Sequence, residues 1–351
     1  MSQDLDPLIL ASLSQIVDPD LGRDIVSLGF VKSAKIESGI ASAVIELTTP
    51  ACPVKEEMQA EAERLLAAIP GVGQVKVQMT ARVREKAGMD GSALPGVKHI
   101  VAIASGKGGV GKSTISVNLA VALAESGAKT GLLDADIYGP SIPMMMGAEN
   151  QKPHIANDKM QPIRRYGVSL MSLGFLLEEG QAAMWRGPIV AGTVRQLFQD
   201  VEWGELDYLL VDLPPGTGDA PLTVAQGVPL SGVVVVMTPQ DVAASIAAKS
   251  AILFQRLEAP ILGVVENMAS FKCPCCGEIS EIFPGRGAQA IAERLEVPFL
   301  GSIPLDPDVS RSSDAGKPAV VAMPLSDHAQ ALKSIAQQVA AQISIRTAQN
   351  S

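Results

Sequence analysis

Three of the chain's four cysteines fall inside the ten residues FKCPCCGEIS, at Cys273, Cys275 and Cys276. Cys273 and Cys276 make a C-x-x-C pair, the spacing of a thiolate clamp for a metal that accepts sulfur ligands. Pro274 and Gly277 keep the loop tight. Tetrahedral zinc and a cubane iron–sulfur cluster both want four ligands, so one such pair is half a cage. Two routes complete it. A second copy related by two-fold symmetry could lend its own pair, or Cys52 could come in from the front of the chain. Two cysteines packed as small apolar residues would be the bland reading, but Lys272 and Glu278 frame a polar loop.

A second constellation lies in IASGKGGVGKST, where Gly106 to Ser113 fits G-x-x-x-x-G-K-[ST]. The glycines at 106, 108, 109 and 111 let the backbone around Val110 curl its N–H groups toward phosphate oxygens, and Thr114 continues into the helix. Lys112 brings a point charge to the β- and γ-phosphates, and Ser113 offers a hydroxyl to Mg²⁺. Gly106, Gly108 and Gly111 also spell G-x-G-x-x-G, with acids following in LLDAD, so a nicotinamide dinucleotide site is the competing reading. The Lys112–Ser113 pair and the strand YLLVD ending in Asp212 favour a nucleoside triphosphate with Mg²⁺.

These residues need elements to hold them. From His99 on, apolar strands (HIVAIA, TGLLDAD, DYLLVDLP, GVVVVMTP, APILGVVENM, FLGSIP) alternate with helical stretches. That pattern predicts an α/β, doubly wound, mainly parallel sheet with ligands at its strand ends. Aromatics are only 3% of residues while apolar ones reach 47%, which suits strands buried on both faces. Residues 1–86 read as a small α+β domain. Apolar spacing predicts a helix over 7–17 through Leu8, Leu10, Leu13, Ile16 and Val17. Two strands follow around a turn at Ser38–Gly39, then a helix with Pro53 in its first turn, then a strand in VGQVKVQMTARV. Residues 87–98 are polar and Gly-rich and read as a linker, with the larger domain over 99–345. The last helix is placed around HAQALKSIAQQVAAQI, with a polar tail after it.

The net charge is −9, and both parts are acidic: nine Lys/Arg against thirteen Asp/Glu in 1–95, nineteen against twenty-four thereafter. A phosphate backbone would need a positive surface, so nucleic acid is not an expected partner. No apolar run approaches the ~20 residues of a spanning helix, so no membrane role is expected. Asp4 and Asp6 stand where a leader would be basic. The expected location is the cytoplasm, where thiols stay reduced and a cysteine cluster points to metal or redox work.

GKGGVGKST resembles the deviant phosphate loop of the MinD/ParA/nitrogenase iron-protein class of P-loop NTPases. In that class the extra lysine, here Lys107, reaches across a dimer to the partner's nucleotide and supplies charge in trans. The resemblance implies an ATP-dependent homodimer. A solvated surface lysine is the bland reading. LLDADIYGPS matches the class's first switch, which implies Asp136 positioning the attacking water and Asp134 in the Mg²⁺ shell with Ser113 and Asp212. DLPPGTGD (Asp212 to Asp219) matches the second. Asn267, at the end of the strand VVENM, resembles the adenine-binding residue, and a strand-end polar cap would serve its spacing equally.

With WRGP, TPQDVA, VENM, CPCCG and IPLDP in the same order, the chain resembles the Mrp/ApbC family of P-loop iron–sulfur cluster carriers. DPDLGRDIVSLGFV and TTPACP resemble the small iron–sulfur assembly domain often fused in front. This resemblance implies slow ATP hydrolysis and a labile 4Fe–4S cluster bridged by Cys273 and Cys276 of two protomers, with zinc as the rival metal. The implied partners are the chain itself, a cluster assembly scaffold and apo iron–sulfur proteins. Cys275 departs from the family motif and is not expected to be a ligand. Cys52, before Pro53 at a helix start, is expected to have a lowered pKa and a transient role in handover, with a small residue packed under a turn as the equally open bland reading. Trp185 and Arg186 are placed near a dimer face. A positioning or partition ATPase of the MinD/ParA kind would share the nucleotide machinery, but it needs no CPCC.

Overall fold

The computed structural model describes residues 5–85, 94–136, 139–176, 187–216, 221, 227–283, 285 and 287–349, the side chains of 187–191 and 241–248 excepted. Trp185 and Arg186 lie outside them, as do Thr217 to Asp219 of the second switch, Lys86 and 87–93 of the linker. The chain divides into two compact units, residues 1–84 with 340–351, and residues 85–339.

In the first unit α1 (Pro7–Leu13) is followed by the short pair β1 (Val17–Asp18) and β2 (Arg23–Asp24), then β3 (Val31–Glu37), β4 (Ile40–Leu47), α2 (Lys55–Ala67) and β5 (Gln74–Ala81). Asp6 caps α1, its Oδ1 accepting the Leu8 N–H at 2.8 Å, and Pro7 occupies the first turn, where no N–H partner is needed. That start sets the helical phase. Leu10, Leu13 and Ile16 of the predicted stripe meet the core together with Ile9, while Leu8 and Val17 stay exposed and the helix ends at Leu13, short of residue 17. The β3–β4 turn is at Ser38 (φ 51°) and Gly39 (φ 78°), the two left-handed positions a tight hairpin requires. β4 alternates buried and half-buried residues, and β5 pairs with it in parallel. Phe30, Ile45, Leu47, Met58 and Leu66 fill the space between sheet and helices. α2 begins at Lys55 after Val54, so Pro53 lies before the helix rather than in its first turn.

The second unit opens with β6 (Val97–Ser105), α3 (Lys112–Glu125), β7 (Thr130–Asp134) and α4 (Ile142–Met145). β8 (Ile155–Ala156), β9 (Lys159–Met160), β10 (Ile163–Arg165), β11 (Val168–Ser172), α5 (Gly187–Gln199) and β12 (Leu206–Asp212) follow. Then come β13 (Gly232–Met237), α6 (Asp241–Arg256), β14 (Ile261–Lys272), β15 (Ile279–Ser280), α7 (Gly287–Leu295) and β16 (Phe299–Leu305). α8 (Pro307–Asp314), α9 (Ala319–Ala322) and α10 (Asp327–Gln349) close the chain. Among the described residues nine strands form one sheet, ordered β10-β11-β7-β12-β6-β13-β14-β15, with β16 also on β14. Only β10 and β15 run antiparallel in it.

The doubly wound, mainly parallel reading therefore holds. β7, β11 and β13 are buried at every position, as strands covered on both faces must be. The polar tail is helical in part: SIRTAQ, after the predicted helix, continues α10 to Gln349. No helix among the described residues is long and apolar enough to cross a membrane.

Candidate functional site

Parallel pairing brings the chemistry to one edge of the sheet. Asp134 ends β7 and pairs in register with Asp212 at the end of β12 on one side and Ser172 at the end of β11 on the other. Ser105 ends β6 on the far side of β12. The phosphate loop follows, with Gly109 (φ 78°) and Gly111 (φ 84°) in the left-handed region. Gly111 is doubly constrained, because a Cβ there would sit 2.2 Å from Asn267 Nδ2. Lys112, Ser113 and Thr114 form the first turn of α3, whose N–H groups have no intrahelical partner and suit an anion.

Lys112 is 6% exposed and Asp212 is fully buried, and they form an ion pair with Nζ 2.7 Å from Oδ2. Asp136 Oδ2 lies 3.8 Å from the same ammonium. Ser113 Oγ donates to Asp212 Oδ2 at 2.6 Å, and Ser116 Oγ, one turn on, donates to Oδ1 at 2.6 Å. Asp134 accepts from Ser172 Oγ on Oδ2 (2.9 Å) and from the Asp136 N–H on Oδ1 (3.2 Å). Burial first, then the facing Asp212 charge, pushes Asp134 up to about 8; the Ser172 hydrogen bond and Lys112 pull the other way without prevailing. Ser113, Asp134 and Asp212 thus present oxygen donors, a set that suits a hard divalent cation such as Mg²⁺.

The structure brings Lys112, Ser113, Asp134, Asp136 and Asp212 together, while Lys107 is exposed on the loop. The start of the second switch is tied to β6, with Gly216 N–H donating to Ser105 O at 2.8 Å. Asn267 is buried, and its Nδ2 donates to the Val110 carbonyl at 2.8 Å, so its amide braces the phosphate loop. Ser116 and Ser172 were not read from the sequence. Ser116 had a usable signal, standing one helical turn beyond Lys112, whereas Ser172 reaches Asp134 only through strand register.

The cysteine loop is the tip of a hairpin. β14 runs past Asn267, bends at Met268 (φ 58°) and shifts register against β16 before Phe271 and Lys272 pair with Ser280 and Ile279 of β15. Gly277 (φ 74°) turns the tip, its N–H donating to Cys273 O at 2.8 Å, and Cys273 N–H donates to Glu278 O at 2.9 Å. Cys273 is half-buried, and Cys275 and Cys276 are exposed. The backbone N–H groups of Cys276 and then Cys275 point at the Cys273 sulfur, and with the Cys276 thiol they hold Cys273 below the usual thiol range. Among the described residues no three His, Cys, Asp or Glu side chains group as a metal site.

Cys52 corrects its expectation. Burial drives its thiol up to about 11, Asp18 and Asp20 add to this, and the Val54 N–H does not offset them. It lies before α2, not at the helix's first N–H groups, and is mainly the protonated thiol at neutral pH.

Residues 96–340 match the family model described as NUBPL iron-transfer P-loop NTPase, and residues 8–77 match that of an iron–sulfur cluster assembly protein. An iron–sulfur cluster carrier protein of Deinococcus radiodurans is 46% identical over 345 residues, covering 98% of this chain and 97% of its own. The chloroplastic Fe–S cluster assembly factor HCF101 of Arabidopsis thaliana is 44% identical over 335 residues, 93% of this chain and 62% of that one. Among solved structures, a nucleotide-binding protein of Archaeoglobus fulgidus in complex with ADP is 43% identical, with a TM-score of 0.57 over 63% of this chain and 87% of its own. The cell division ATPase MinD of Pyrococcus furiosus, at 23% identity and TM-score 0.52 over 69% of this chain and 98% of its own, shares the fold.

Proposed function

Because this chain belongs to the Mrp/ApbC/NUBPL family of P-loop NTPases that carry iron–sulfur clusters, with an assembly-type domain in front, we propose a specific working form for it. Two copies hold one 4Fe–4S cluster between their Cys273–Cys276 pairs, bind ATP with Mg²⁺, hydrolyse it slowly, and deliver the cluster to apo-proteins. The observation that carries this reading is the hairpin tip, where Cys273 and Cys276 stand at clamp spacing and backbone N–H groups bias Cys273 toward the thiolate. Two is half the ligand count a cubane needs, and a two-fold axis doubles it.

At the nucleotide, Lys112 and the N–H groups of the loop bind phosphate oxygens, and Lys107 reaches the partner's nucleotide. Asp136 orients the attacking water. Ser113 and Asp212, with Asp134, would hold Mg²⁺, which when bound offsets the charge developing on the phosphate oxygens. Asn267 supports the loop through the Val110 carbonyl and is the residue assigned to the adenine. The chain's work is positioning and charge, not covalent chemistry.

Anaerobic reconstitution of the apo-protein with iron and sulfide tests the reading. About four irons and four sulfides per two chains are expected, together with dimer-sized particles. A full complement bound to monomers would overturn it.

The Asp134 shift adds a second expectation. With a pKa of about 8, Asp134 holds its proton at neutral pH in the nucleotide-free protein. Coordination to Mg²⁺ requires the carboxylate, so the metal-bound state holds fewer protons and binding tightens as pH rises through 8. Calorimetry in buffers of different ionisation enthalpy should show about one proton released per Mg–nucleotide bound at pH 7, fading toward zero above pH ~9. Proton release independent of pH would remove Asp134 from the metal shell.

A further inference from the structure

Asp212 is held on both oxygens. Lys112 and Ser113 share Oδ2, and Ser116 takes Oδ1 at 2.6 Å. The first two belong to the phosphate loop and have other partners once nucleotide is bound: phosphate for Lys112, the metal ion for Ser113. Ser116 lies outside every nucleotide motif and is wholly buried on α3. Its Oγ is also 3.0 Å from the Lys112 carbonyl, but the shorter contact to a charged oxygen takes the proton.

Resting on the nucleotide reading above, we infer that Ser116 is a positioning residue for the magnesium carboxylate. Its O–H pins Oδ1, so that Oδ2 stays turned toward Ser113 after Lys112 lets go. An untethered carboxylate swings about its Cβ–Cγ bond through a broad, two-fold range. Groups that orient a ligand from behind in this way are worth about 10–100-fold in metal affinity. Ser172 stands in the same relation to Asp134, its Oγ accepting the Gly174 N–H at 3.0 Å and donating to the carboxylate, so both acids are backed by a hydroxyl.

The test measures fluorescent ADP binding to the full-length protein while Mg²⁺ is titrated, for wild type, Ser116→Ala and Ser116→Cys. Cysteine nearly keeps the volume and replaces a strong donor with a weak one. The Mg²⁺ concentration that half-tightens ADP binding is expected to rise about tenfold in both variants. ADP affinity in EDTA should stay within about twofold of wild type. An unshifted Mg²⁺ requirement in a folded variant overturns the inference. So does an equal loss of affinity in EDTA, or collapse of both variants, either of which would assign the hydroxyl to general packing. If Mg²⁺ fails to tighten ADP binding to the wild type, the nucleotide reading itself falls and takes this one with it. An unshifted variant beside a responsive wild type sinks only the role of Ser116.

Discussion

Lys112→Ala is expected to reduce ATP hydrolysis by about a hundred- to a thousandfold and, separately, to destabilise the nucleotide-free protein by about 3–5 kcal/mol. The two losses have different origins. The first removes the cation that meets developing charge on the phosphate. The second leaves Asp212, fully buried, without the ammonium 2.7 Å away. Breaking one side of a buried ion pair costs more than removing both, because an uncompensated charge stays behind. Ser113 and Ser116 still donate to Asp212, which places the cost toward the lower end. A Lys112→Met, Asp212→Asn double variant should therefore regain most of the stability and none of the hydrolysis. Urea denaturation and phosphate release, measured on the same preparations, check both halves. A Lys112→Ala protein as stable as wild type would mean that the pair is not formed in the resting state.

The second large effect is expected at the hairpin tip. After anaerobic reconstitution, Cys273→Ala and Cys276→Ala should retain essentially no iron or sulfide, and Cys275→Ala should retain the wild-type amount. Cys273 is the thiol that the Cys275 and Cys276 N–H groups favour as thiolate, and an alanine at 275 keeps its backbone donor. Each ligand lost from a shared cage is lost twice, once per protomer, leaving two donors where four are needed. Equal loss in all three variants would assign Cys275 to the cage and overturn this ligand set.

The parts of this molecule that were legible in the sequence are those set by local chemistry. A left-handed hairpin turn needs Ser38–Gly39, and a phosphate cradle needs glycine before Lys112. A buried parallel strand writes itself as an unbroken apolar run, as GVVVVM does. The misread features depend on something further away. The face of α1 follows from where Asp6 and Pro7 start the helix, so of the predicted stripe Leu10, Leu13 and Ile16 meet the core while Leu8 and Val17 stay exposed. Cys52 looked like a helix-start thiolate, yet its surroundings are set by burial and by Asp18 and Asp20, more than thirty positions earlier in the chain. Ser172 meets Asp134 only because β11 lies beside β7 in a particular register, which no stretch of sequence states. The site's acids were readable from their motifs, and Ser116 could have been from its place one turn beyond Lys112, but Ser172 could not.

Asn267 and Cys273 sit on one continuous piece of backbone, and the strand between them is jointed at Met268 rather than straight. The amide at the near end donates to the Val110 carbonyl of the phosphate loop, and the first thiol stands six residues further on. Phosphate loop and cysteine pair are therefore tied to a single strand, β14, with no connecting loop between Asn267 and Lys272.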